Sequence, residues 1–170
     1  MKIIFDLAYS FNIIKINLPM ETETSKYRHT TPVQIRFNDI DILGHVNNAV
    51  YQHYYDFARV NYFKKIVGDI VDWKMYSLIL ASIKIDYFSP VNLNDEIEVE
   101  TRVEMLGNKS ISMKQKLIKT QTREIVSSNR AVLVAYNSEL NQTIEIPADW
   151  KNKFVSFEKE ITMKYPVSTN

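Results

Sequence analysis

The sequence predicts an α+β fold in which a long antiparallel sheet wraps around one central helix. Three observations predict it. Residues 48 to 68 form an aromatic-rich helix whose apolar side chains cover more of the circumference than a single core-facing stripe. After it come strand-like runs in close succession, separated by turn residues. The lengths also match: about 20 helical residues at ~1.5 Å each reach roughly 30 Å, and strands of ten to thirteen residues at roughly 3.3 Å each reach about 35–40 Å.

The helix is marked at both ends. Asn48 can cap the first amides, Gly68 closes the end, and Lys64 and Lys65 stand in the last turn against the negative end of the dipole. Between them Val50, Tyr51, Tyr54, Tyr55, Phe57, Ala58, Tyr62, Phe63 and Ile66 demand cover, and only Gln52, Asp56 and Arg59 share a polar strip.

Upstream, Val33, Ile35 and Phe37 alternate with Gln34 and Arg36, which predicts a strand from Thr31 to Phe37. Downstream, an irregular link over residues 69–75 precedes a strand from Tyr76 to Phe88, stopped by Pro90. Glu96 to Met105 alternates most cleanly, with Ile97, Val99, Val103 and Met105 on one face and Glu96, Glu98, Glu100, Arg102 and Glu104 on the wet one. Gly107-Asn108-Lys109 reads as a tight hairpin, Ser110 to Lys119 as the returning strand, and Ile125 to Tyr136 as the next. Pro147 suits the first turn of a short helix, and the pattern fades after Lys153. The expected organisation is an extension over residues 1–28, a folded domain over 29–151 and a tail over 152–170.

Composition bounds the function. A chain of 170 residues, 45% apolar and 24% charged, supports one core. A net charge of +1 gives no general attraction to nucleic acid or an anionic membrane. The absence of cysteine excludes disulfides, thiolate metal sites and a cysteine nucleophile, and fits a reducing cytoplasm. Asp6, Asn12 and Lys15 interrupt the apolar runs of the first 19 residues, so neither a targeting peptide nor a membrane span is expected there. Residues 1–19 read as a loosely attached extension or the product of an upstream start codon. With three glycines in the chain, there is no room for a Walker A loop, a GxGxxG fingerprint or a GxSxG elbow.

Chemistry is expected at the helix entrance, where Asp39, Asp41, His45, Asn47 and Asn48 crowd around Gly44. Each has an ordinary reading as well. Asp39 suits a turn or capping carboxylate, Asp41 an Asx turn, and Asn47 and Asn48 the satisfaction of backbone groups at a helix start. Asp39, Asp41 and His45 could hold Zn or Mn, but His29 and His53 stand at no recognised ligand spacing, so no metal is expected.

The run N-D-I-D-I-L-G-H-V-N-N-x-x-Y, with an aromatic helix ending R-x-N-Y-F and an I-P-A-D-W tail, resembles the hot-dog-fold acyl-CoA thioesterases, the group that includes 4-hydroxybenzoyl-CoA thioesterase. The resemblance covers about Thr30 to Lys151. It implies a hot-dog fold and cofactor-free hydrolysis of an acyl-CoA or acyl-carrier-protein thioester, with Asp41 as nucleophile or general base. It puts the substrate carbonyl at the helix N-terminus, by the Asn48 amide, where the dipole favours developing negative charge. His45 matches the histidine of the D-x-N-x-H-V-N-N run in plant acyl-carrier-protein thioesterases, although Leu43 replaces their asparagine and the benzoyl-type enzymes lack that histidine. Gly44, Val46, Asn47 and Tyr51 complete the expected substrate surface.

Two other functions stay open on this fold: a module that binds acyl thioesters without hydrolysing them, and a hydratase, whose own motif is absent. The apolar edge from Ser77 to Ile83 predicts closure into a homodimer or homotetramer, and the resemblance implies the same, with sites formed between subunits.

Overall fold

The computed structural model describes residues 26–68 and 76–164. The proposed extension up to residue 25, the link over 69–75 and the tail beyond 164 lie outside the described residues. The elements run β1 (His29–Val33), a 3-10 turn (Phe37–Asp39), α1 (Asn48–Val67), β2 (Ser77–Tyr87), β3 (Ile97–Leu106), β4 (Ser110–Lys119), β5 (Ile125–Asn137), β6 (Gln142–Thr143), α2 (Ala148–Glu158) and β7 (Thr162–Met163).

The long strands lie in the order β1-β3-β4-β5-β2, antiparallel throughout. The meander β3-β4-β5 forms the middle, and the two strands that flank α1 in sequence sit at opposite edges. Short β6 adds to β5, and β7 adds parallel to β3. Bulges at Leu80/Ser82 in β2 and Val103/Met105 in β3 bend the sheet. This is the hot-dog arrangement: α1 buries Tyr51, Tyr54, Tyr55, Ala58, Tyr62 and Phe63.

The core falls into two clusters. The N-terminal half of α1 packs Tyr51, Tyr54, Tyr55 and Ala58 with Val91, Ile97, Val99, Leu117 and Val126. The C-terminal half packs Tyr62 and Phe63 with Val103, Leu106, Ile111, Met113 and Leu133, and with Trp150 and Phe154 on α2. Between them runs a polar band. Thr101, Gln115 and Asn129 stand side by side on β3, β4 and β5 and are all buried. Asn129 donates to the Gln115 side-chain oxygen (2.8 Å), and Gln115 donates to the Tyr55 carbonyl (3.0 Å) and Thr101 Oγ1 (3.2 Å). Each bond offsets the cost of burying an amide, which an apolar neighbour could not do.

Several local expectations are corrected. The first strand ends at Val33, and Phe37 is 80% exposed in the 3-10 turn, because Arg36 and Asp39 bond reciprocally and turn the chain there. Arg102 does not lie on a wet face. It is buried and donates to the Glu160 carbonyl (2.7 Å). The β3 bulge breaks the period-two alternation, so that Leu106 rather than Met105 fills the inner face. The polar strip on α1 is also narrower than expected, since Arg59 is buried and pairs with Asp56. Where the pattern was expected to fade, α2 continues to Glu158, with Phe154 and Glu158 buried.

Candidate active site

The turn between β1 and α1 is built on one buried carboxylate. Asp39 is 2% exposed and accepts from the Arg36 amide (2.8 Å), the Arg36 guanidinium (3.0 Å) and the Tyr54 hydroxyl (2.7 Å). Burial pushes its carboxyl up, but the Arg36 amide, the Tyr54 hydroxyl and the Arg36 guanidinium together hold it below the usual carboxylate range. Its carbonyl takes the Asn47 amide (2.8 Å), so this one residue ties the turn to the helix start and to the helix face.

Residues 40–46 then form a small closed loop. Ile40 and Val46 bridge antiparallel, the Asp41 amide donates to the His45 carbonyl (2.9 Å), and Gly44 donates back to the Asp41 carbonyl (3.0 Å). Gly44 has φ +81°; a Cβ there would meet nothing within 4 Å, so the requirement is backbone conformation rather than space. Val46 is buried and its amide is spent on the Val91 carbonyl (2.8 Å), which pins the loop to the core.

Asp41 is half-buried. One carboxylate oxygen accepts from the Leu43 amide (2.8 Å), the Asx turn that its residue type suggested, and the other has no partner among the described residues. His45 is half-buried beside it in the loop. The helix cap is Asn47 rather than Asn48: its side chain accepts from the Ala49 amide (2.9 Å) and its carbonyl from the Val50 amide (2.9 Å). That assignment leaves the Asn48 amide, at the first helical position, without an acceptor among the described residues. An uncommitted amide at the positive end of a 20-residue helix suits a developing oxyanion.

Tyr51 lies beneath this entrance, buried and edge-on to Tyr87 with centroids 5.0 Å apart. Burial pushes its hydroxyl up to about 12, so it is neutral at physiological pH. Sequence reasoning missed Tyr87, whose hydroxyl donates to the Asn48 carbonyl (2.9 Å) from β2, and it missed the Arg36 and Tyr54 contacts that fix Asp39. No local signal marked Tyr87, because its position depends on β2 pairing at the far edge of the sheet.

Around the turn the surface is apolar: Phe37, Ile42 and Leu43 are all at least 75% exposed. Two surface depressions lie by the C-terminal half of α1. Among the described residues no group of three His, Asp or Glu side chains could hold a metal, and no helix is long and apolar enough to cross a membrane.

A family model described as the thioesterase-like superfamily matches residues 35–154, which takes in the turn, α1, β2 to β5 and most of α2. The chain belongs to that superfamily. A solved structure, that of the PA5185 protein of Pseudomonas aeruginosa, superposes with a TM-score of 0.71 at 30% identity, covering 78% of this chain and 92% of that one. An acyl-acyl carrier protein thioesterase of Arabidopsis thaliana, ATL3, is 23% identical over 134 residues, covering 78% of this chain and 70% of its own length. The acyl-CoA thioesterase YbgC of Haemophilus influenzae is 26% identical over 91 residues, covering 52% of this chain and 67% of its own. The chain thus spans about two thirds of the length of these named relatives. Superfamily membership supports acyl-thioester hydrolysis as its broad chemistry.

Proposed function

We propose that this chain hydrolyses the thioester of an acyl-CoA or acyl-carrier protein, with Asp41 as the reacting carboxylate. The observation that carries the proposal is the pairing of an open Asp41 oxygen with the uncommitted Asn48 amide at the two sides of one tightly bonded turn. The thioester carbonyl docks on the Asn48 amide, which stabilises the oxyanion as it forms. As general base, Asp41 takes a proton from water while the hydroxide adds to the carbonyl. The tetrahedral intermediate then expels the thiolate, which is protonated to the free thiol. As nucleophile, Asp41 forms a mixed anhydride with release of the thiol, and water then cleaves it. A single turnover in ¹⁸O-water separates the routes, since only the nucleophilic one can leave label in the Asp41 carboxylate. His45 is the alternative base. Gly44, Val46 and Asn47 hold the turn in shape, and Tyr51 floors the entrance for the substrate.

The test is thiol release across acyl-CoAs from acetyl to palmitoyl, with aromatic members. Asp41→Asn should lower kcat by at least ~10², the smallest effect that general base or nucleophilic catalysis allows, with the fold unchanged by circular dichroism. Near-normal turnover in Asp41→Asn with loss in His45→Ala would transfer the role to His45. Saturable acyl-CoA binding with no turnover in the wild type would make the protein a binding module.

The exposed Phe37, Ile42 and Leu43, together with the outer edge of β2, which pairs with no strand among the described residues, support a twofold dimer that covers the Asp41 turn. Light scattering should report twice or four times the chain mass, and an active species of one chain mass would refute that assembly.

A further inference from the structure

We propose that Tyr87, at the end of β2, is a positioning residue that aims the Asn48 amide at the thioester carbonyl. The inference rests on the reading of that amide as the oxyanion donor and extends it to a residue on the edge strand of the sheet. Two peptide units meet at the Asn48 Cα, and three of their four polar groups have partners. The Asn47 carbonyl accepts from the Val50 amide (2.9 Å), the Ala49 amide donates to the Asn47 side chain (2.9 Å), and the Asn48 carbonyl accepts from the Tyr87 hydroxyl (2.9 Å). The fourth group is the Asn48 amide, which has no acceptor among the described residues. The first two bonds lie within one turn and travel with it. Of the three, the Tyr87 hydroxyl alone ties Asn48 to the sheet. A carbonyl has two lone pairs, so this bond stands beside a helical one without displacing it.

The hydroxyl is delivered by a braced residue. Tyr87 pairs with Ser127 on β5, whose Oγ donates to the Asp86 carbonyl (2.8 Å) and accepts from the Tyr55 hydroxyl (2.8 Å). On the other side of Tyr87, the Phe88 amide donates to the Val126 carbonyl (2.9 Å). The Tyr87 ring stands edge-on to Tyr51, which is buried, so contact with an immobile neighbour limits its swing. Tyr51 and Tyr55 both lie on α1, so the helix that carries Asn48 also grips the end of β2. Partial burial pushes the Tyr87 hydroxyl up from its ordinary value, and it stays protonated and donating at physiological pH. An oxyanion donor acts through its placement, and a misplacement of about 1 Å can cost ~10² in rate.

Tyr87→Phe keeps the ring on Tyr51 and removes only the hydroxyl, and at 44% exposure the change leaves the fold intact. The experiment compares it with wild type and Asp41→Asn in thiol release across the acyl-CoA panel. In parallel, NMR of the full chain measures the ¹⁵N order parameter of the Asn48 amide. In Tyr87→Phe kcat should fall about tenfold with KM within about twofold, less than the ~10²–10³ lost when an oxyanion donor is removed outright. The Asn48 order parameter should fall from about 0.85 toward 0.6. Unchanged kcat in Tyr87→Phe overturns the proposal while Asp41→Asn still tests the reaction itself. A rise in KM with kcat unchanged would make Tyr87 a substrate contact and overturns it too, as does a fall in kcat with the Asn48 amide unaltered. A wild type without turnover defeats the hydrolytic reading, and with it the aiming of the Asn48 amide at a reacting carbonyl.

Discussion

Both ends of α1 are held by the same pair of groups, a tyrosine hydroxyl donating to a buried carboxylate on a neighbouring segment. At the N-terminal end Tyr54 donates to Asp39 (2.7 Å), and at the C-terminal end Tyr62 donates to Glu158 (2.6 Å). The surroundings differ. Asp39 also holds a guanidinium and a backbone amide, whereas Glu158 gains only the Val103 amide (2.9 Å) and keeps a second oxygen, buried, with no partner among the described residues. The consequence is an opposite shift: Asp39 is held below the usual carboxylate range, while burial drives Glu158 above it despite Tyr62, Val103 and Arg102. The lesson is that one motif serves two tasks. At the entrance it fixes a charged turn beside the half-buried Asp41, the proposed reacting carboxylate, and at the exit it anchors α2 over an aromatic core.

The largest effect should come from breaking the exit. Phe154 is fully buried, stacked on Tyr62 at 6.3 Å and edge-on to Phe63 at 6.0 Å. Phe154→Ala removes a whole ring from that cluster and should cost about 3–5 kcal/mol in urea unfolding. Because the proposed reactive turn stands at the other end of the helix, kcat of the folded fraction should stay near wild type. A fall in kcat as deep as that of Asp41→Asn would show that the two ends do not act separately.

At the entrance, Asp39→Asn keeps the size of the side chain and an acceptor for the Arg36 amide but removes the charge that Arg36 and Tyr54 address. A loss of about 2 kcal/mol is expected, or roughly 4–8 °C in Tm for a chain of this size. The folded-state pKa of Asp39 lies below its unfolded value, so its contribution is present above the unfolded value and is lost as pH falls through the folded one. The stability difference between wild type and Asp39→Asn should therefore stand at its full size above about pH 4 and shrink as pH falls below it. Equal stability at pH 7 would remove Asp39 as the anchor of the turn.

The same contrast explains what the sequence made legible. The helix, the meander and the fold they build were readable because strands with clean alternation and a helix with capping residues declare themselves locally. The entrance was readable because its polar residues are adjacent in the chain, from Asp39 to Asn48. The exit was not. Trp150, Phe154, Phe157 and Glu158 follow helical spacing, but Lys151, Asn152 and Lys153 between them look like a fading tail until α1 supplies Tyr62 to pack on. The polar band was hidden for a related reason: Thr101, Gln115 and Asn129 find one another only after three strands pair, and singly each reads as a surface residue. The move of the cap from Asn48 to Asn47 is a one-residue shift that propensity cannot decide, yet it is what leaves the Asn48 amide open.

The smallest effect belongs to Glu158→Gln, and its sign is the sharpest test of the comparison. A carboxyl whose folded pKa lies above its unfolded value binds its proton more tightly in the folded state. Folding is then favoured while that proton is on, and stability is lost as pH rises from the ordinary glutamate value, about 4.3, through the folded one. Glutamine retains an oxygen to accept from the Tyr62 hydroxyl and the Val103 amide, and it has no charge to bury. The variant should match wild type near pH 4 and be equal or more stable at pH 7, by up to about 1 kcal/mol, with a flatter profile between. Urea midpoints at pH 4, 5.5 and 7 would measure this. A variant less stable than wild type at pH 7 and equal at pH 4 would mean that the ionised Glu158 contributes net stability through Arg102, and the two ends of α1 would then be held by the same electrostatics rather than by opposite ones.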